Sequence, residues 1–574
     1  MANREVSKIL YEIAELLEAD DVPFKPRAYM RAYESVNALG EDLSDIYKRG
    51  GRKALLEIPG VGQAIADKLE EYLKTGRVRE YERMKKKLPA DISALREIEG
   101  VGPKAIKVLW QKLRIKNVAD LEKAARAGKI AKLPRFGQKS EEKILKGIEF
   151  LKGSGKRFRL GDMLPYARGL KILLEKRKEV DRVEIAGSAR RWKETIGDLD
   201  MLVVSKEPKK VMDYVVGLPE VRNVLAHGET KSSVVMQNGI QVDIRVVPEK
   251  SFGAALNYFT GSKAHNVHLR QIAIKKGWKL NEYGLFKAKN QIAGRTEEDL
   301  YKKLGMDYVE PEMREDLGEI DVAIRHRLPK LVGYGDLKGD LQTQTDWTDG
   351  KDSILDMALA AHTRGLEYIA ITDHTKTLAM TGGSDEKKLL KQMAEIDKVN
   401  KELQSRSVKF KVLKGAEVNI LADGRLDIKD EILAKLDCVG AAVHSHFKLS
   451  RVEQTKRLIR AMESPHIDVL FHPTGRLIQK REPIDLDIEA IIKAAKRTKT
   501  ILEINSYPDR LDLKDEHIMK AREAGVLFSI DSDAHAVSHF GLLEYGIAQA
   551  RRGWCEKKHI INTLPYEKML KILK

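Results

Sequence analysis

From residue 339 to residue 574 short apolar runs alternate with helix-like segments, and this alternation restricts the fold more than any other feature of the chain. The runs are YIAITDH (368–374), FKVLKGAEVNI (410–420), CVGAAVHSH (438–446), VLFHPTG (469–475), TILEINSY (500–507) and VLFSIDSDAH (526–535). Each is too short for a buried helix, and each reads as a strand covered on both faces. Parallel strands need long crossovers, which the intervening segments supply. The expected fold of this region is a parallel (β/α) barrel. Several runs end on residue types that bind metals: His374, Glu417, His444, His472, Asp533 and His535, with Asp349 near the start of the region. Strand C-termini are where barrel chemistry sits.

The first run, GDLQTQTDWTDG (339–350), differs from the others. As a strand it sets Asp340, Gln342, Gln344 and Asp346 on one face and Leu341, Thr343 and Thr345 on the other. Asp349 lies just beyond. A polar row this regular is a metal or phosphate site, a weakened site, or a solvated edge strand; glutamine is a poor metal ligand.

Residues 1 to about 150 show helical spacing throughout. One motif recurs there: LEIPGVGQAIADKL (56–69), REIEGVGPKAIKVL (96–109) and KLPRFGQKSEEKIL (132–145). Gly62, Gly102 and Gly137 are equivalent positions, so a repeated helical unit is present. Gly60 and Gly100 permit a tight turn, which the third copy replaces with Arg135. Each turn leads into a helix N-terminus whose free N–H groups can bind a phosphate oxygen. The formal net charge of +18 favours an anionic partner, nucleic acid first. Two cysteines, Cys438 and Cys555, exclude a disulfide framework and fit a reducing cytoplasm. No apolar run approaches the ~18 residues of a membrane span.

Between about 160 and 316 the pattern is mixed α/β. In VEIAGSARRWKETIGDLDMLV (183–203), Asp198 and Asp200 are two apart on a strand and face the same side. A third carboxylate, Asp243, lies in the strand GIQVDIRVV. Such a set can bind two Mg²⁺ ions, which activate a hydroxyl and stabilise a leaving pyrophosphate. Gly187 and Ser188 upstream offer a backbone turn and a hydroxyl to a triphosphate, and Arg191 adds charge. Taken alone, the DxD pair is an ordinary solvated strand end.

The ordered set GSARR, GDLD, VDIR, NYFTGSKAHN and NEYGLF resembles the palm and thumb of family X DNA polymerases, the DNA polymerase beta group. The resemblance covers residues 1–316. It implies metal binding by Asp198, Asp200 and Asp243, with Mg²⁺ or Mn²⁺. It implies triphosphate contacts from Gly187, Ser188, Arg191 and Gly197, sugar contacts from Tyr258 and Phe259, a base-edge contact from Asn266, and a template contact from Arg270. Lys263 stands where the beta enzyme has an acid. The N-terminal part resembles the family's lyase domain through FKPRAYMRAYESV and IPGVGQAIADKLEEYLKTGR. There Lys68 matches the Schiff-base lysine, and Lys25, Tyr29 and Arg31 match residues around a 5′-phosphate. A lysine nucleophile needs a depressed pKa, which neighbouring cations are expected to supply. The three repeats resemble helix-hairpin-helix motifs, which grip DNA backbone without reading sequence.

The C-terminal set TDH, GAEVNIL, AVHS, FHPTGR and SDAH resembles the polymerase-and-histidinol-phosphatase (PHP) domain, which hydrolyses phosphoesters with Zn²⁺ or Mn²⁺. That domain's first motif reads close to DLHxHTxxSDG, so Gln342 and Gln344 stand in place of two histidines. The resemblance implies one metal on Asp349, His374 and His472, a second on Glu417, His444 and His535, and a third left with Glu417, Asp533 and the two glutamines. Asn505 and Arg510 are implied substrate contacts.

The resulting expectation is a multidomain protein. Residues 1–90 form a lyase-like helical DNA-end-binding domain, 91–155 a helix-hairpin-helix fingers-like domain, 156–250 an α/β nucleotidyltransferase palm, 251–316 a thumb, 317–338 a linker and 339–574 the PHP barrel. The expected reaction is DNA-directed synthesis across short gaps in gapped or nicked duplex DNA from dNTPs, with 3′-end processing and abasic-site lyase chemistry. The chain is expected to act as a monomer in the cytoplasm. A template-independent nucleotidyltransferase and a DNA-end scaffold with a degenerate barrel remain alternatives.

Overall fold

A computed structural model describes residues 2–20, 22–37, 42–58, 60–96, 98, 100–134, 136–153, 157–378 and 381–573. The chain divides into two compact units, Met1–Gly155 with Gln479–Arg481, and Lys156–Ile478 with Glu482–Lys574. No helix among the described residues is long and apolar enough to cross a membrane.

The first unit is helical. Helices Ala2–Ala19, Lys25–Asn37, Leu43–Leu56 and Gln63–Thr75 bury Leu10, Ile13, Ala32, Leu55 and Leu69. Helices Pro103–Leu113, Val118–Arg126 and Gln138–Gly153 bury Ile106, Leu109, Leu121 and Ile144. The first two motif copies take the same shape. Gly60 and Gly100 adopt φ of +76° and +88°, and Gly62 and Gly102 are the N-caps of the following helices. Glycine offers no capping side chain, so the helix amides are left facing outward. Gly137 precedes the third helix, Gln138–Gly153. Arg135 lies outside the described residues.

The second unit begins with a five-stranded sheet in the order Val180–Ile185, Asp198–Ser205, Gln241–Val246, Lys231–Met236, Val221–His227. Helices Leu160–Glu175 and Pro208–Val216 bury Leu164, Ala167, Leu170, Val211 and Val215 in the core with this sheet. Helices Phe252–Thr260, Lys263–Lys275 and Glu297–Leu304 and a three-stranded antiparallel sheet follow. The stretch expected as a linker, 317–338, contains helix Glu319–Ile324. Its Glu319 is fully buried, with Oε1 2.6 Å from His265 Nδ1, so this stretch is folded against the preceding segment. One and a half turns of helix are too short to show a period, which is why the sequence reads as a linker.

The barrel strands are Gly339–Thr343, Tyr368–Ile371, Lys411–Asn419, Cys438–Ala442, Val469–Leu470, Ile501–Asn505 and Phe528–Asp531, parallel and paired in sequence order. A parallel bridge between Thr343 and Ala534 brings the last strand back to the first. Leu341, Tyr368, Leu413, Cys438 and Phe471 fill one part of the interior. The fit is close: a Cβ on Gly440 would fall 1.8 Å from the Phe471 ring.

The sheet and the barrel share a core. Leu511 and Tyr545 from the barrel are buried with Met163, Leu164, Ala167 and Ile196. Arg168 donates to both carboxylate oxygens of Glu544 at 2.7 and 2.8 Å, and Arg476 to Glu194 at 2.7 Å.

Candidate active sites

The first candidate centre sits where strands Asp198–Ser205 and Gln241–Val246 run side by side in parallel. Their register pairs Asp200 with Asp243 and Asp198 with Gln241. Three carboxylates therefore converge on one face. Burial and the charges of Asp198 and Asp243 push the Asp200 carboxyl up to about 7; burial and Asp243 raise Asp198. Acids that repel in this way fit hard divalent cations. Gln241, not anticipated from the sequence, donates to Asp243 Oδ1 at 3.1 Å and steadies it.

Gly187 has φ +63°, and a Cβ there would lie 2.4 Å from Asp200 Oδ2. Glycine is thus required twice over, by backbone and by the carboxylate behind it. Ser188 follows in the short helix Gly187–Arg190. The Arg191 guanidinium donates from Nε to Glu315 Oε1 at 3.1 Å and from Nη1 to the Thr260 carbonyl. Tyr258 is exposed and its ring meets Phe259 edge-on at 5.1 Å, while the Arg245 guanidinium lies 4.5 Å over Phe259. Asn266 is buried and spends its amide on the Tyr258 carbonyl at 2.6 Å. In this conformation it orients the tyrosine backbone. Arg270 donates to the Asn266 carbonyl at 3.3 Å. Gly197 precedes the strand that carries the two aspartates, and a Cβ there would meet Arg157 Nη1 only at an ordinary contact distance of 4.0 Å.

In the helical unit a cavity of about 720 Å³ is lined by Lys25, Tyr29, Gly60, Gly62, Lys68 and Glu80, among others. Five sequence candidates meet there, and Arg31 lies beside it, its Cβ 3.2 Å from where a Gly60 Cβ would stand. The expectation for Lys68 is corrected. The groups that act directly on it are an acid and a phenol: Nζ pairs with Glu80 Oε2 at 2.7 Å and lies over the Tyr29 ring at 5.6 Å. Burial lowers the Lys68 ammonium, but the Glu80 carboxylate and Tyr29 hydroxyl outweigh it, and the pKa is raised.

In the barrel the glutamine strand is interior, with Gly339 through Thr345 all buried, which rules out the solvated-edge reading. The ligand grouping differs from the one the resemblance implied. Asp349 groups with His374 and His535, and His374 also groups with Glu417 and His444, at spacings that fit a metal ion. His374 lies between the two carboxylates, with Nε2 3.7 Å from Asp349 and Nδ1 3.3 Å from Glu417. His472 faces Glu417 at 2.8 Å rather than Asp349, and His535 faces Asp349 and Asp533 at 3.7 and 3.8 Å rather than Glu417. Burial raises the Glu417 carboxyl, but His374 and His444 hold it well below the usual carboxylate range.

Supporting contacts orient these groups, as metal sites require. Asp373 accepts from Thr345 N at 2.8 Å and from Thr348 Oγ1 at 2.5 Å, which pins the loop leading to Asp349. Asn419 Oδ1 lies 2.7 Å from His444 Nδ1, leaving Nε2 for Glu417 at 3.1 Å. Gln344 Nε2 donates to Glu417 Oε2 at 2.9 Å, and Gln342 Oε1 accepts from Asn505 at 3.1 Å. The remaining amide atoms, Gln342 Nε2 and Gln344 Oε1, are buried and have no partner among the described residues. Asn505 itself is buried and also approaches Glu503 and Asp533, while Arg510 Nε is 3.4 Å from Asp533.

Of three acids buried below this site, Asp340 belongs to the polar row already read from the sequence, while Glu503 and Asp531 were not singled out there. Each lies two residues before a polar residue already singled out, Gln342, Asn505 and Asp533. Alternation on a strand therefore puts them one layer deeper on the same face. Burial raises all three, Asp531 to about 7. The signal available was an acid inside an otherwise apolar run.

Residues 255–315 match the DNA polymerase beta thumb, residues 1–78 a helix-hairpin-helix domain, and residues 92–149 a SAM-like helix-hairpin-helix tandem. The DNA polymerase/3′-5′ exonuclease PolX of Bacillus subtilis is 35% identical over 568 residues, 98% of each chain. A probable phosphatase of Caldanaerobacter subterraneus subsp. tengcongensis is 31% identical over 34% of this chain and 74% of its own length. A probable phosphatase of Thermoanaerobacter sp. is 29% identical over 37% of this chain and 84% of its own length.

Proposed function

Because the chain belongs to the family X DNA polymerases that carry a 3′-5′ exonuclease, we propose that it fills short gaps in duplex DNA during repair and trims 3′ ends in its barrel. The observation that carries the synthetic half is the convergence of Asp198, Asp200 and Asp243 beside Gly187. Mg²⁺ or Mn²⁺ held by the three carboxylates would supply a lowered pKa for the primer 3′-hydroxyl and charge neutralisation for pyrophosphate. Gly187 and Ser188 present a short helix N-terminus to the triphosphate, Arg191 adds a guanidinium, and Tyr258 and Phe259 form an aromatic wall for the sugar. The hairpin amides after Gly62 and Gly102 hold the DNA backbone.

The barrel residues fit Mn²⁺ or Zn²⁺ in the sets Asp349/His374/His535 and His374/Glu417/His444, because imidazole and carboxylate donors suit both ions. A bound ion there would supply hydroxide for phosphoester hydrolysis. Gln344 already donates to Glu417, which supports a weakened third position. In the helical unit, Lys68 in its cavity is the candidate for Schiff-base chemistry at a 5′ abasic end.

Extension and 3′-degradation of a gapped duplex with Mg²⁺, Mn²⁺ or Zn²⁺ test the reading, in wild type and His374→Ala. Extension in both and degradation in wild type alone are expected. Degradation equal in both, or seen in neither with any of the three ions, would make the barrel a retained structural domain.

A further inference from the structure

Arg552, the last residue of helix Leu543–Arg552 in the barrel, is 4% exposed. Its Nη1 donates to the Arg191 carbonyl at 2.7 Å and to Glu315 Oε1 at 3.1 Å. Its Nε and Nη2 donate to Asp515 Oδ2 at 2.9 and 2.5 Å. Glu315 Oε1 is the same atom that receives Arg191 Nε. One barrel guanidinium thus holds both the backbone of Arg191 and the carboxylate that orients its side chain. Two helical turns earlier, on the same face, Tyr545 meets Trp192 edge-on at 5.4 Å. Trp192 follows Arg191 and adopts φ +55°. The loop closes on itself through Lys193 N, which donates to the Ser188 carbonyl at 3.1 Å.

We infer that helix Leu543–Arg552 braces the 187–193 loop of the polymerase centre, and that Arg552 is a positioning residue for nucleotide addition. The inference rests on the reading that Gly187, Ser188 and Arg191 receive the triphosphate. Both consequences of removing the Arg552 charge have the same sign. The Arg191 carbonyl loses its donor, which loosens the loop. Glu315 loses a competing cation, so it holds the Arg191 guanidinium more tightly and away from phosphate. The contact concerns ground-state binding, so KM for dNTP rises more than kcat falls.

Arg552→Gln should raise the dNTP KM roughly tenfold or more, the fold-change of one lost charged hydrogen bond. The kcat for extension and the rate of 3′-end hydrolysis should stay within about twofold. Arg552→Lys keeps the charge but cannot serve Arg191, Glu315 and Asp515 at once, so its KM should fall between. Arg551→Gln is the control: Arg551 is on the same helix and pairs with Glu312 at 2.7 Å without touching the loop. An unchanged KM in a folded Arg552→Gln, an equal rise in Arg551→Gln, or parallel loss of both activities overturns the brace. If Arg552→Gln does not fold, an unchanged KM in Arg552→Lys overturns it. Arg191→Gln separates the two layers. If it leaves the dNTP KM unchanged, the triphosphate reading fails and the brace with it; if it raises KM and Arg552→Gln does not, the brace alone fails.

Discussion

Glu80→Gln should make Lys68 a better nucleophile at neutral pH. An amine attacks only as the free base. Lys68 Nζ sits 2.7 Å from Glu80 Oε2, with the two side chains 14% and 39% exposed. Because Glu80 opens to water, the pair contributes only about 1 kcal/mol. The sign follows from the raised pKa. The ammonium persists through neutral pH, and free base accumulates only as pH climbs past the ordinary lysine range of ~10.4. Removing the carboxylate charge takes that preference for the ammonium away, so between about pH 7 and 9 the free-base fraction rises roughly fivefold, the equivalent of about 1 kcal/mol. The adduct on a 5′ abasic end of a gapped duplex, trapped with borohydride, should form faster in Glu80→Gln by that factor. Wild type and variant should both speed up with pH across this window, and Lys68→Ala should lose the adduct. An unchanged or slower rate in Glu80→Gln, with Lys68→Ala inactive, would refute the role given to the carboxylate. Undiminished trapping in Lys68→Ala would refute the lysine itself.

Asp243→Ala removes one of three metal carboxylates and should cut primer extension by at least ~10², leaving 3′-degradation intact; near-normal extension would contradict the assignment. Affinity for gapped duplex should fall steeply with salt and vary little with sequence, because hairpin amides and cations meet phosphates; a flat salt titration by fluorescence anisotropy would contradict it. Gln342→His with Gln344→His should raise zinc content, measured by elemental analysis, by roughly one ion per chain. Zinc content equal to wild type would show that the glutamines are not at a ligand position.

The barrel was legible because a strand buried on both faces is a continuous apolar run, and because the residues that end such runs project from one rim. His374, Glu417, His444, His472 and His535 were found in that way. Their partners were not, since His374 uses its two ring nitrogens toward two different carboxylates, a choice set by ring orientation and not by spacing. Glu503 and Asp531 lie one layer below and look like interruptions of the core. Glu80 is on a different helix from Lys68, so nothing local reveals that an acid faces the amine. Arg552 lies 361 residues from Arg191, and only the packing of the barrel against the sheet brings them together. Helix Glu319–Ile324 was invisible because its anchor, the Glu319–His265 contact, spans 54 residues.

The core that holds Leu511 and Tyr545 together with Met163, Leu164 and Ala167 constrains how this architecture can change. Cutting the chain after the thumb would strip apolar cover from the sheet and leave Arg168 and Glu194 without their carboxylate and guanidinium partners. The cost of such a deletion would fall on DNA synthesis as well as on hydrolysis. The barrel is thus a scaffold for the sheet as well as a site of its own, and groups inside it can change without disturbing the shared core. Gln342 and Gln344 are interior positions of that kind, each with one amide atom bonded and one without a partner among the described residues.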